Sequence, residues 1–155
     1  MNTTIVSQIV LIITAATLFY VGLTDLKHFK IRNEFIIVLT GLFFLHAFLS
    51  GRWTTLHWNL AFAAVMFLIM LYFYSMKAMG GGDLKLLTVA ILWVGPFCAL
   101  PFALFLLLFI CIHIVAVKFK LVEARVVSEK KWLPFAPSIA AALISVFMVG
   151  CLQPI

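Results

Sequence analysis

Charge in this chain is confined to the gaps between long apolar runs. The stretches at about 5–23, 35–49, 56–76, 86–117 and 134–152 contain no Asp, Glu, Lys or Arg. A helix rises about 1.5 Å per residue, so about 20 apolar residues cross a hydrocarbon core about 30 Å thick. Hydrophobic residues make up 66% of the chain and charged residues 10%, whereas soluble domains run near 25% charged. The chain therefore reads as an integral membrane protein, with residues 1–155 forming one transmembrane domain in contact with the lipid bilayer.

The run at 86–117 decides the topology. Spanning 32 residues, it would measure about 48 Å as a single helix, and Gly95-Pro96 and Pro101 interrupt it. Two spans joined by a tight turn near Gly95 to Pro101 fit better. The loops at 24–34, 77–85 and 118–131 then share one side. They hold Lys27, Lys30, Arg32, Lys77, Lys85, Lys118, Lys120, Arg125, Lys130 and Lys131, ten of the eleven Lys and Arg residues, with only Arg52 opposite. A single span would carry the five positive charges of 118–131 to the outside, against the positive-inside rule. The expectation is an all-α polytopic bundle of about six transmembrane helices with both termini outside.

The same loops account for the net charge of +6, so no nucleic-acid partner is expected. Basic residues follow the first run rather than precede it, which makes that run a retained helix and not a secretory signal. Helices four and five come out at about 16 residues, or about 24 Å. The turn before helix four is then expected to sink slightly into the membrane, or the bilayer to thin around it.

That turn is Met79-Gly80-Gly81-Gly82-Asp83-Leu84-Lys85. Each glycine costs a helix interior about 1 kcal/mol, so three in succession should break a helix while letting other groups approach the backbone closely. Asp83 and Asp25 are the only aspartates, and charge parity puts both at the cytoplasmic membrane edge. Asp83 reads either as an N-cap or as a chemical group, since an ionisable side chain at this depth is expensive. Asp-Leu-Lys occurs at 25–27 and again at 83–85, as a parallel repeat or chance would produce. Asn33 is placed to cap the second helix, with Glu34 in its first turn.

Cys98, Cys111 and Cys151 form no CxxC pair and lie in apolar runs. They are expected to be buried free thiols, with a Cys98–Cys151 disulfide only if both lie near the outer surface. No HExxH spacing exists, and neither a metal nor a cofactor is expected. Trp53, Trp58, Trp93 and Trp132 fall near helix ends, as an interfacial aromatic belt requires. His46 and His113 are expected to hydrogen-bond neighbouring helices.

Gly80-x-Gly82-Asp83 resembles the GxGD signature of one class of intramembrane aspartic peptidases. Extended through Lys85 to Leu86, it is similar to the motif of the type IV prepilin peptidases. Asp25 followed by Ile31-Arg32-Asn33 resembles that family's earlier aspartate and its Ile-Pro-Asn-like triplet, with Arg32 standing where the family usually has proline. Leu133-Pro134-Phe135-Ala136-Pro137 resembles the Pro-containing start of the family's last helix. The resemblance implies an aspartic endopeptidase in the plasma (inner) membrane of a prokaryote, with Asp25 and Asp83 catalytic. Gly80, Gly82, Lys27, Lys85, Asn33, Pro134 and Pro137 would bind substrate or position the site. The implied partner is a prepilin-like single-span membrane protein, cut on the cytoplasmic side between a short basic leader and its apolar helix. Lacking the N-terminal CxxC segment of larger members, the chain resembles the small peptidase-only branch that acts on Flp-type prepilins or preflagellins, without methyltransferase activity.

In such a dyad the two carboxylates share one proton. The ionised member activates a water and the protonated member polarises the scissile carbonyl. The glycines would let helix four approach helix one, or let the substrate backbone come close. Lys27 and Lys85 are either tuning charges for the dyad or positive-inside anchors. Two other classes of function fit the composition: a small transporter or proton-coupled channel subunit with Asp83 as its ion site, and a non-catalytic scaffold of a pilus or secretion complex.

Overall fold

A computed structural model describes residues 3–28, 31–51, 53–77, 79–119, 125–127, 130–132 and 135–151. Six helices occur among the described residues: α1 (Thr3–His28), α2 (Asn33–Leu49), α3 (Trp53–Ser75), α4 (Gly81–Val94), α5 (Ala99–Lys118) and α6 (Ala136–Met148). Three segments, Ile5–Leu26, Thr55–Ser75 and Ala99–Lys118, are long and apolar enough to cross a membrane, while α2 and α6 are shorter apolar helices. Long and short helices alternate along the chain. The basic stretch after α5, expected as plain loop, also carries a small antiparallel pair, β1 (Arg125–Val127) with β2 (Lys130–Trp132).

Helix α4 sits in the middle. It packs against α2, α3 and α6 and touches α5, whereas α1 packs on α2 and α6, and α5 on α6. A helix that is apolar all round belongs in an interior or in lipid, and the two outcomes are both seen here. From Val89 to Val94 every residue of α4 is buried. On α5, by contrast, Leu100, Leu104, Leu107, Leu108 and Ile112 all face outward. A water-soluble monomer rarely presents continuous apolar faces of that extent, so the exposed sides of α3 and α5 mark the chain as a membrane protein.

Trp93 anchors the centre. Only 2% exposed, it donates its indole N–H to the Leu39 carbonyl at 3.1 Å and lies against the rings of Phe43, His46 and Phe147. It is therefore a core residue and not part of an aromatic belt, a placement that its position near a helix end conceals. Trp53 and Trp58 are exposed as belt residues should be; the Trp132 side chain lies outside the described residues.

Helix ends follow local chemistry, with three departures from expectation. Asn33 is the first residue of α2 and not its cap, a position taken by Arg32 without a side-chain hydrogen bond. Gly81 and Gly82 lie inside the first turn of α4, with Gly80 as N-cap and Asp83 in the helix. Glycine is tolerated there because the first turn has fewer intrahelical bonds to lose. Pro101 lies in the first turn of α5, where its missing N–H costs nothing, so α5 reaches 20 residues and, of the two helices expected to be short, α4 alone is, with 14.

The cysteines correct a further expectation. Cys98, after the α4–α5 turn, is bonded to Cys151 just beyond α6, with Cα atoms 6.1 Å apart. Folding puts both at the same end of the bundle, which their separation of 53 residues hides. Closing a loop of that size restrains the unfolded chain by about 2–4 kcal/mol. Cys111 is free but exposed on α5 rather than buried.

The turn after α4 depends on one glycine. Gly95 has φ +63° and ψ −177°, a conformation that essentially only glycine adopts. A Cβ there would overlap the Asn59 amide, which donates to the Leu92 carbonyl at 3.2 Å and so closes the end of α4. Gly95→Ala is expected to cost about 1–3 kcal/mol from the backbone alone, before the displacement of Asn59. Thermal unfolding in detergent micelles should show a lowered midpoint, and an unchanged midpoint would contradict this account of the turn.

Candidate active site

Asp25 lies on the buried stripe of α1. Val10, Thr14, Leu18 and Val21 are buried at the three- and four-residue steps that define one helix face, and Asp25 continues the series. It is 5% exposed. The first N–H of α6, from Ala136, donates to its carboxylate. Its Oδ2 is enclosed and has no hydrogen-bond partner among the described residues. Gly22 makes this approach possible one turn earlier: a Cβ there would lie 3.4 Å from the Pro137 Cα and 3.6 Å from the Ala140 Cβ. Pro137 thus packs its ring-bearing turn onto α1, while Pro134 lies outside the described residues.

Asp83 is half-buried in the first turn of α4, close enough to Asp25 for the two charges to act on each other. The structure therefore brings together the only two aspartates of the chain. Among the described residues it does so without direct packing of α1 on α4, so of the two uses expected of the glycines the approach of helix four to helix one is not seen.

Each glycine of the triplet has a different neighbour. A Cβ on Gly80 would stand 3.0 Å from the Asp83 Oδ2, one on Gly81 3.3 Å from the Tyr74 ring, and one on Gly82 3.4 Å from Ile31. None of the three has positive φ; among described glycines only Gly51, Gly95 and Gly150 do. The triplet is needed for space and not for unusual backbone angles. Asp83 turns its carboxylate back over Gly80, and the loop after α1 rests on Gly82.

That loop contributes a second contact. Lys85 Nζ donates to Asn33 Oδ1 at 3.0 Å across 52 residues of sequence. Sequence reasoning named both residues but not their pairing. Arg32, in the place of the usual proline, has φ −75° and ψ 136°, the angles a proline would itself impose. Its side chain pairs with Glu34 at 2.7 Å on the surface, a contact of small energetic value. The Lys27 side chain lies outside the described residues.

Tyr74 is the neighbour that sequence reasoning missed. Its position two residues before the end of an apolar run was the only available signal. The histidines stand apart: His46 lies on Trp93, and the enclosed Nε2 of His113 lacks the expected partner among the described residues. No group of three His, Cys, Asp or Glu residues suited to a metal occurs among the described residues. An open apolar cleft of about 330 Å³ between α1 and α6, lined by Gln8, Leu11, Ile144 and Phe147 among others, lies at the end of α1 remote from Asp25.

The chain is thus a helical membrane protein in which Asp25 and Asp83 interact electrostatically beside a glycine-lined turn. The sequence model of the type IV leader peptidase family matches residues 12–117, and the chain belongs to that family. The matched stretch holds Asp25, Ile31-Arg32-Asn33 and Gly80 to Leu86, and stops before α6. No curated protein and no solved structure matched the chain.

Two substitutions test the geometry. Gly80→Ala puts a methyl against Asp83, which yields because a carboxylate is flexible, so stability should hold. A displaced reacting group costs about 10²-fold, and the leader-peptidase rate should fall by about that factor in a cleavage time course. Arg32→Pro should leave both the midpoint of unfolding and the rate within experimental reach of the parent, since the backbone is already set for it.

Proposed function

We propose that the chain is an aspartic endopeptidase that removes the leader of type IV prepilin-like precursors, using Asp25 and Asp83 as its dyad. The observation that carries this reading is the electrostatic interaction of these two carboxylates in apolar surroundings, one of them with an oxygen that no described protein group satisfies. An unpaired carboxylate in such a place costs several kcal/mol in general and is retained where chemistry needs it. The ionised member takes a proton from a water, which attacks the scissile carbonyl while the protonated member polarises it. The proton is then returned to the leaving amine.

Six membrane spans, with the first and last helices ending outside and the dyad at the cytoplasmic face, fit this chemistry. The distribution of Lys and Arg supports that orientation. So does the disulfide at the opposite end of the bundle, since disulfides persist on the oxidising side of a membrane. The substrate is a single-span membrane protein whose basic leader lies in the cytoplasm and is cut just before its apolar helix, as Flp-type prepilins and preflagellins are built. The cell compartment is the plasma membrane of a prokaryote.

Asp25→Asn and Asp83→Asn preserve side-chain shape and remove the ionisable group. Each should abolish processing of a co-expressed precursor, scored by the gel shift of the mature product, while the protein still accumulates in the membrane fraction. Complete processing by either variant would refute the dyad. Ion flux into proteoliposomes that disappears with Asp83→Asn, in the absence of cleavage, would favour the transporter class instead.

A further inference from the structure

Among the described residues, the two helices that carry the aspartates do not pack on each other. Their carboxylates are nonetheless neighbours, so their separation must be set by intermediaries. Within the bundle α2 and α6 serve, each packed against both α1 and α4. At the level of the aspartates a second link exists. Ile31 rests on Gly82, and Asn33 Oδ1 accepts from Lys85 Nζ at 3.0 Å. Both contacts join the segment following α1 to the first turn of α4, the turn that holds Asp83.

We propose that the Lys85–Asn33 hydrogen bond is a latch that sets the distance between Asp25 and Asp83, making Lys85 and Asn33 positioning residues of the site. Lys85 lies two residues after Asp83 in the same helical turn, and Asn33 is the first residue of α2. Fixing one to the other removes the freedom of α4 to slide or rotate against the end of α1. Both side chains are exposed, so their contact adds little to packing. Its consequence is geometric. An ammonium donor is charge-assisted and therefore stronger than a neutral pair. A carboxylate or amide at position 33 serves as acceptor equally well, whereas an apolar residue cannot.

The latch also separates Lys85 from the two roles its charge alone suggests. A positive-inside anchor or a tuning charge acts through its presence near the membrane or the dyad and does not require Asn33. The inference rests on the peptidase reading above, and the experiment must tell the two apart. The full-length chain in lipid-containing micelles is assayed on a single-span precursor with a short basic leader, and kcat and KM are resolved.

Asn33→Leu and Lys85→Met should each lower kcat by about 10- to 100-fold, the cost of misplacing a reacting group, with KM changed less than about twofold and the unfolding midpoint retained. The double variant should be no slower than either single one, because residues acting through one contact are not additive. Asn33→Asp keeps an acceptor and should restore the rate to within about threefold of the parent. Losses that multiply in the double variant, or a parental kcat in Asn33→Leu, would overturn the latch.

A readout independent of cleavage uses Asp25→Cys with Asp83→Cys in a Cys111→Ser background. Cross-linking of this pair by a short bifunctional thiol reagent should slow at least severalfold when Asn33→Leu is added. An unchanged cross-linking rate would refute the latch even if the peptidase reading stands. Slowed cross-linking, together with a parent chain (Asp25 and Asp83 intact) that cleaves no precursor, would support the latch while refuting that reading.

Discussion

The burial of α4 is the constraint around which the other helices are arranged. Its C-terminal half is enclosed from Val89 to Val94, and its two ends are held by different means. At the C-terminal end, Trp93 donates to the Leu39 carbonyl and Asn59 closes the Leu92 carbonyl. Backbone and indole groups in an apolar interior must find partners within the protein, so these bonds fix α2 and α3 to α4. At the other end, three glycines present bare backbone to the Tyr74 ring, to Ile31 and to the Asp83 carboxylate. Asp83 is thereby delivered to one place by a helix that has little freedom to move.

Asp25 reaches the same place by a different route. It extends the packing stripe of α1, and the stripe is buried because Gly22 admits the first turn of α6. The N–H that meets the carboxylate belongs to that turn. First-turn N–H groups have no intrahelical acceptor, so the start of α6 gains a partner and the buried carboxylate gains a donor. The reason for a Pro-containing start to the last helix lies here: Pro137 packs on Gly22 while Ala136 keeps the N–H that the site uses. The region matched by the family model ends before α6, yet α6 completes the surroundings of Asp25.

Part of this candidate site was legible in the residues: two aspartates in a chain with so little charge, expected on one side from loop parity, and a glycine motif that lies within the stretch matched by the family model. The glycines themselves were only half understood. Their usual meanings, helix breaking and positive φ, do not hold at Gly81 and Gly82, which lie within α4. Close approach does hold, but the groups that approach are a ring, an isoleucine and a carboxylate, and not helix α1. Likewise Asn33 looked like a cap because Asn before an apolar run usually is one. Its side chain is instead used by Lys85, 52 residues away.

What the sequence determined by itself is whatever depends on local composition: apolar runs long enough to span, the confinement of charge to the gaps between them, and the motifs of a peptidase family. Transfer of charge into hydrocarbon is so costly that these features survive any arrangement of the helices. What only the tertiary structure decided is which helix occupies the centre, that Trp93 is core and not belt, that Cys98 meets Cys151, and that Asn33 pairs with Lys85. Contacts between residues far apart in sequence depend on how helices pack. In lipid that packing is governed by shape and small residues more than by hydrophobicity, which every face of these helices has in abundance.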